Sequence, residues 1–194
     1  MIHTFKLSCD LNLSSQYKLA SIGLIILKLD PVHDYLYLLT DRNMTPLFNK
    51  LNLKDHKEML ILNSPQSFSI EIESLDKTIT VYKDLKKSKQ VGFAMGFVTT
   101  REQIGLLIPS LNEKLIGDSI LWICYPKGTS KKYTCDFNRD TGWEILGKYD
   151  FEPVRQVSID EDWSALRFRR VQFIKTMKRS FAYTEEGKIK SKSK

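Results

Sequence analysis

The residue types best suited to chemistry lie between Pro126 and Asp140, where Lys127, Lys131, Lys132 and Arg139 share one loop. That loop follows the apolar run Ser119–Tyr125 (SILWICY) and runs into Thr141-Gly142-Trp143-Glu144, the spacing of a capping box. A strand end, four cations and a helix N-terminus headed by Thr141, with free N–H groups and a positive dipole end, together suit a phosphate or carboxylate. The plainer reading pairs the same cations with Asp136, Asp140 and Glu144 on a solvated loop, and no nucleophile lies among them. Asp84 is the second candidate. It follows the β-branched run Thr78–Tyr82 and lies 21 residues beyond Asn63, where dinucleotide-type folds put an acid on ribose hydroxyls. The alternative for Asp84 is an exposed turn.

Other reactive types point away from chemistry. Asp160, Glu161 and Asp162 are consecutive, so they do not converge on one face of a strand, and turn formation explains them better. The three cysteines, Cys9, Cys124 and Cys135, are odd in number, form no CxxC pair and have no neighbouring histidine. Neither a disulfide framework nor a zinc site follows. Cys124 sits in an apolar run and is expected to be buried and inert, and Cys135 lacks a histidine to activate it. His3, His33 and His56 all precede the candidate loops. Trp163, Leu166 and Phe168 read as core.

The elements that must position these residues alternate along the chain. Strands are predicted at Met59–Leu62, Thr78–Tyr82, Phe93–Val98, Ser119–Tyr125, Val154–Ile159 and Trp163–Val171. Asn63-Ser64-Pro65 reads as an N-cap with Pro at the first helical position, opening a helix to about Leu75 with Phe68, Ile72 and Leu75 on one side. Thr100-Arg101-Glu102-Gln103 is a capping box. It opens a helix striped by Ile104, Leu107, Ile108, Leu111 and Leu115, with a kink expected at Pro109 and an end at Gly117. The second box at Thr141 predicts a helix through Tyr149. Strand and helix in alternation imply right-handed crossovers. The last two strands are joined by only a few polar residues, which is hairpin length. The fold class is therefore α/β, a Rossmann-like three-layer sandwich whose mostly parallel sheet ends in an antiparallel hairpin.

Length and charge bound the organisation. A chain of 194 residues with 42% apolar residues suits a single domain with a real core. That domain is expected over residues 44–178. Met44 resembles a protein start, and residues 1–43 read as an extension outside native coding sequence. Their apolar run Leu19–Leu27 is too short to span a bilayer. The net charge is +7, but seven Lys or Arg and two Glu fall from Lys175 onward. The rest of the chain is close to neutral, which argues against a nucleic-acid-binding face. Residues 179–194 are expected to be a disordered Lys-rich tail, giving at most weak, nonspecific nucleic-acid contact. No membrane association is expected, and the chain reads as cytoplasmic.

Two runs carry a family likeness. Leu121 to Trp143 (LWICYPKGTSKKYTCDFNRDTGW) and Glu152 to Arg170 (EPVRQVSIDEDWSALRFRR) resemble an uncharacterised bacterial family, a domain of unknown function spanning Met44 to about Lys178. The order of parts is more distantly similar to the second half of class I S-adenosylmethionine-dependent methyltransferases. That resemblance implies a cofactor on a glycine-rich loop after the first strand. Here the loop is Asn63-Ser64-Pro65, without glycine, and no Asp-Pro-Pro-Tyr-like motif is present. The residues name no cofactor. The leading expectation is a non-catalytic Rossmann-like domain that binds a small anionic ligand or a partner protein. The alternative is a methyltransferase-like enzyme using S-adenosylmethionine.

Overall fold

Period-two alternation along four strands divides the core into two layers, one on each face of the sheet. In the computed structural model, which describes residues 45–177, 179 and 181–192, β1 is Glu58–Leu62, β2 Thr80–Tyr82 and β3 Val91–Phe97. β4 is Leu115–Pro126, β5 Phe151–Ser158 and β6 Trp163–Arg170. Leu60, Leu62, Ala94, Leu121, Ile123, Tyr125, Leu166 and Phe168 face one layer. Met59, Ile61, Phe93, Met95, Phe97, Trp122, Cys124 and Ala165 face the other. Successive strand side chains point to opposite faces, so both faces being apolar means both are covered. This is the three-layer arrangement that the sequence predicts.

The six strands lie in the order β2-β1-β3-β4-β6-β5. The first four are parallel, and β6 is antiparallel to both of its neighbours, closing the sheet with the expected hairpin. Asp160 Oδ1 makes that hairpin's turn by accepting the N–H groups of Asp162 at 2.8 Å and Trp163 at 2.7 Å. The acidic triplet is thus turn chemistry. Trp163, Leu166 and Phe168 are buried, as is Cys124.

The first face is covered by helix α3 (Arg101–Lys114), which buries Ile104, Leu107, Ile108 and Leu111. Its capping box is formed as written. Gln103 N–H donates to Thr100 Oγ1 at 3.2 Å, and Gln103 Oε1 accepts the Thr100 N–H at 3.3 Å and the Thr99 N–H at 2.6 Å. The other face is covered by α1 (Pro46–Lys50) and by a 3-10 turn, Gln66–Phe68, leading into α2 (Ser69–Glu73). Gly96 lets α3 approach the sheet, since a Cβ there would lie 2.4 Å from Leu107 Cδ2.

Several local expectations are corrected. Neither Asn63 nor Ser64 caps the segment after β1; the N-cap position is Pro65, with no side-chain cap. Gly117 does not end α3. The helix stops at Lys114, and Gly117 (φ +55°) lies in β4 where the register jumps from Val91↔Leu115 to Phe93↔Ile120. The helix predicted from Thr141 to Tyr149 is the single turn α4 (Glu144–Gly147), whose N-cap position is Trp143.

Nor is the tail structureless. Residues Glu185–Lys192 form helix α5, docked through Glu152, a fully buried carboxylate on β5. Glu152 Oε1 accepts from Tyr183 N at 2.9 Å and from Thr184 N and Thr184 Oγ1 at 2.7 Å each. Its other oxygen is paired with Arg179. A buried carboxylate requires such partners, and Lys-rich composition alone conceals them. The expectations for Leu19–Leu27, the Met44 start, Cys9, His3 and His33 lie outside the described residues.

Candidate functional site

In open α/β sheets, ligands bind outside the carboxyl ends of the strands, where the strand order reverses. Here the chain runs outward from β1 to β2 and returns across β1 to β3, so the reversal lies between β1 and β3. A cavity of about 440 Å³ opens at this end of the sheet, lined by Leu62 and Asn63 after β1, Lys83–Lys86 after β2, and Gln103, Leu106 and Leu107 of α3.

Three local features shape it. Asn63 has φ +55°, the left-handed conformation that glycine adopts most readily and asparagine tolerates. The chain therefore turns away after β1 as a glycine loop would, although no glycine is there. Asp84 Oδ1 accepts the Lys86 N–H at 2.9 Å, which fixes the carboxylate on the cavity wall. Its Oδ2 makes no hydrogen bond among the described residues. Gln103 lines the cavity with its Oε1 held by the capping box and its Nε2 making no hydrogen bond among the described residues. Leu106 is 71% exposed, off the buried stripe of α3, and gives the cavity an apolar wall.

The Pro126–Asp140 loop is built differently from what its composition suggests. Lys127 Nζ donates to Ser158 Oγ at 2.8 Å and to the Asp160 carbonyl, so it braces the β5–β6 hairpin. Lys132 pairs with Glu161 at 3.4 Å and Asp162 at 3.3 Å, and Arg139 pairs with its neighbour Asp140 at 3.0 Å. Lys131 and Thr141 are exposed and line no cavity described for this loop. The structure thus brings Lys127 and Arg139 to one cavity and leaves Lys131, Lys132 and Thr141 out of it. With α4 reduced to one uncapped turn, the helix N-terminus is lost as well. The anion-binding reading of this loop is not retained.

What the loop does is close a second cavity, about 530 Å³, at the end of β4, whose walls include Tyr125, Cys135, Asn138, Gln156 and Ser164. Asp136 pins the loop to α3 by accepting the Arg101 N–H at 2.9 Å. Trp143 anchors its far end, donating Nε1 to the carbonyls of Asn138 at 2.9 Å and Arg139 at 3.0 Å, and packs on Tyr125, Phe137 and Phe168. Gln156 Nε2 donates to Tyr125 OH at 3.2 Å. Burial pushes the Tyr125 phenol up to about 12, and burial also raises the Cys135 thiol. Neither group is a base at neutral pH.

Three substitutions check how the loop is held. Gly142 has φ +92°, and a Cβ there would meet Phe137 Cβ at 2.7 Å. Gly142→Ala is expected to cost about 2 kcal/mol in chemical denaturation. Lys127→Met should cost about 1.5 kcal/mol by removing a charged donor from the hairpin, whereas exposed Arg139→Met should leave the midpoint unchanged.

Neither a protein-family model nor a curated protein matches the chain, so the likeness to an uncharacterised family stays without a counterpart. Solved structures do match. The N-methyltransferase NodS from Bradyrhizobium japonicum WM9 is 13% identical, with TM-score 0.42, over 74% of this chain and 99% of its own. Magnesium protoporphyrin IX methyltransferase from Synechocystis PCC 6803, with bound SAH, is 11% identical, with TM-score 0.43, over 64% and 78%. A ribosomal protein methylase from Lactobacillus delbrueckii subsp. bulgaricus is 12% identical, with TM-score 0.42, over 64% and 76%. The Rossmann-like assignment rests on the strand order itself. Among the described residues, no helix is long and apolar enough to cross a membrane.

Proposed function

We propose that the chain is a methyltransferase-like enzyme that binds S-adenosylmethionine in the cavity between the ends of β1, β2 and β3. The observation that carries this reading is the Asp84 carboxylate, held after the strand next to β1 with one oxygen committed to the Lys86 N–H and the other without a hydrogen bond among the described residues. An acid there suits the paired hydroxyls of a ribose. Leu106 and Leu107 offer an apolar wall for an adenine ring, and Gln103 Nε2 a donor to its edge. The left-handed Asn63 gives the chain the turn after β1 that a glycine would otherwise supply. When bound, the cofactor supplies a methyl group on a positively charged sulfur.

The chain's own contribution is binding and orientation. The capping box fixes α3 over one cavity, and Asp136 holds the loop that closes the other. Tyr125, raised to about 12, stays protonated and serves as a donor. The methyl acceptor must therefore bring its own lone pair.

Thermal shift tests the reading. S-adenosylhomocysteine and adenosine are expected to raise the melting temperature, since a ligand that binds only the native state at about 100 times its Kd adds roughly 2.7 kcal/mol. Inorganic phosphate is expected not to. Stabilisation by phosphate alone would sink the proposal, and stabilisation by the nucleosides without methyl transfer to any acceptor would reduce it to a binding role.

A further inference from the structure

Summed along the sequence, positive charge falls in the tail; in space it gathers elsewhere as well. Arg167 and Arg169 are two residues apart on β6, so they share a face and stand about 7 Å apart. Arg155 is the cross-strand partner of Arg167 on β5. With Lys175, from the segment after β6, these three arginines line a cavity of about 450 Å³ that shares no residue with the candidate cofactor site. Phe173 lines it too, half-buried. Among the described residues, Asp118 is the carboxylate paired there, binding Arg169 through both oxygens, one of them at 2.7 Å from Nε. Arg155 and Lys175 are exposed and form no ion pair among the described residues.

Arg167 decides what the cavity is for. Its Nε is buried and has no hydrogen-bond partner among the described residues, and Arg155 and Arg169 stand beside it. An Nε–H withdrawn from water without an acceptor, on a side chain flanked by like charges, is costly unless an anionic group completes it. Arg155, Arg167 and Arg169 adjoin one another on the hairpin, and Lys175 and an aromatic ring, Phe173, line the same cavity. A single phosphate would use one or two of these cations and leave the ring idle. A phosphodiester chain uses several of them, and its bases have flat faces to stack on the ring.

We propose that this cleft is a docking site for single-stranded nucleic acid, with Arg155, Arg167 and Lys175 on successive phosphates and Phe173 beneath a base. The site stands independently of methyl transfer. It differs from tail electrostatics because its cations are fixed on a hairpin and the segment after it.

The test is fluorescence anisotropy of the full chain with a labelled single-stranded oligonucleotide of about 12 nucleotides, titrated at several salt concentrations. Arg155→Ala/Lys175→Ala removes two exposed cations that form no ion pair among the described residues. It should weaken binding about 10- to 100-fold and lower the salt slope by about 1.4, at roughly 0.7 per cation. Phe173→Leu should weaken a base-bearing oligonucleotide and leave an abasic one unchanged. Lys188→Ala/Lys192→Ala in α5 should have little effect, and inorganic phosphate at equal charge should not compete. No binding by the wild-type chain, or loss of binding only with the α5 variant, would overturn the proposal. Full competition by phosphate or equal affinity for duplex would do the same.

Discussion

Glu152→Ala should lower the stability of the domain by about 3 kcal/mol, with a fall in melting temperature of roughly 6–12 °C. Glu152 is fully buried and takes hydrogen bonds from two backbone N–H groups and a hydroxyl, along with an ion pair from Arg179. Alanine leaves all of these donors without an acceptor, at roughly 1–3 kcal/mol each if they stayed buried. They do not stay buried, because the segment lifts off and they regain water, which holds the loss to the lower end of the range for a broken buried pair. Limited proteolysis reads the same event, with cleavage appearing around Arg179–Lys188. A disordered tail would give a change below about 0.5 kcal/mol and equal protease sensitivity in both proteins.

Gly187→Ala separates docking from helix propensity. In a free helix, alanine is favoured over glycine by about 1 kcal/mol. In the docked helix, a Cβ at Gly187 would lie 2.5 Å from Glu152 Oε1 and 2.7 Å from Thr184 Oγ1. The substitution should therefore destabilise, and the sign of the change alone decides between the two states of the segment.

The two capping-box patterns show what local sequence does and does not carry. Thr100-Arg101-Glu102-Gln103 forms its box because both halves lie within one helical turn and nothing competes for them. Thr141-Gly142-Trp143-Glu144 has the same spacing and forms none, because Trp143 is drawn into the cluster with Tyr125, Phe137 and Phe168 and Gly142 bends at φ +92° to allow it. The apolar strands and the α3 stripe were legible because burial repeats at the period of each element. The tail was not, since its anchor, Glu152, lies some 30 residues away in an otherwise ordinary strand.

Of the candidate site residues, Asp84 was legible from its distance to Asn63. Gln103 was visible only as a cap. Leu106 carried a signal that went unread, an apolar residue off the apolar face of its own helix. The cations of Pro126–Asp140 misled because their partners, Asp160, Glu161 and Asp162, come from the far hairpin. The arginine cleft had its own signal, Arg167 and Arg169 two apart on a strand, which a charge summed along the chain averages away.

The central claim is that the cleft beside Asp84 holds a ribose, and isothermal titration calorimetry of S-adenosylhomocysteine against wild type and Asp84→Asn tests it most directly. Asparagine keeps an oxygen for the Lys86 N–H, so the turn and the unliganded melting temperature should be preserved. It removes the charge and the acceptor not used by Lys86, so affinity should fall about 10- to 100-fold, the equivalent of roughly 1.5–3 kcal/mol for hydrogen bonds to a charged group. Wild-type protein that takes up no heat of binding at millimolar ligand, or an Asp84→Asn variant that binds as tightly as wild type, would contradict the account.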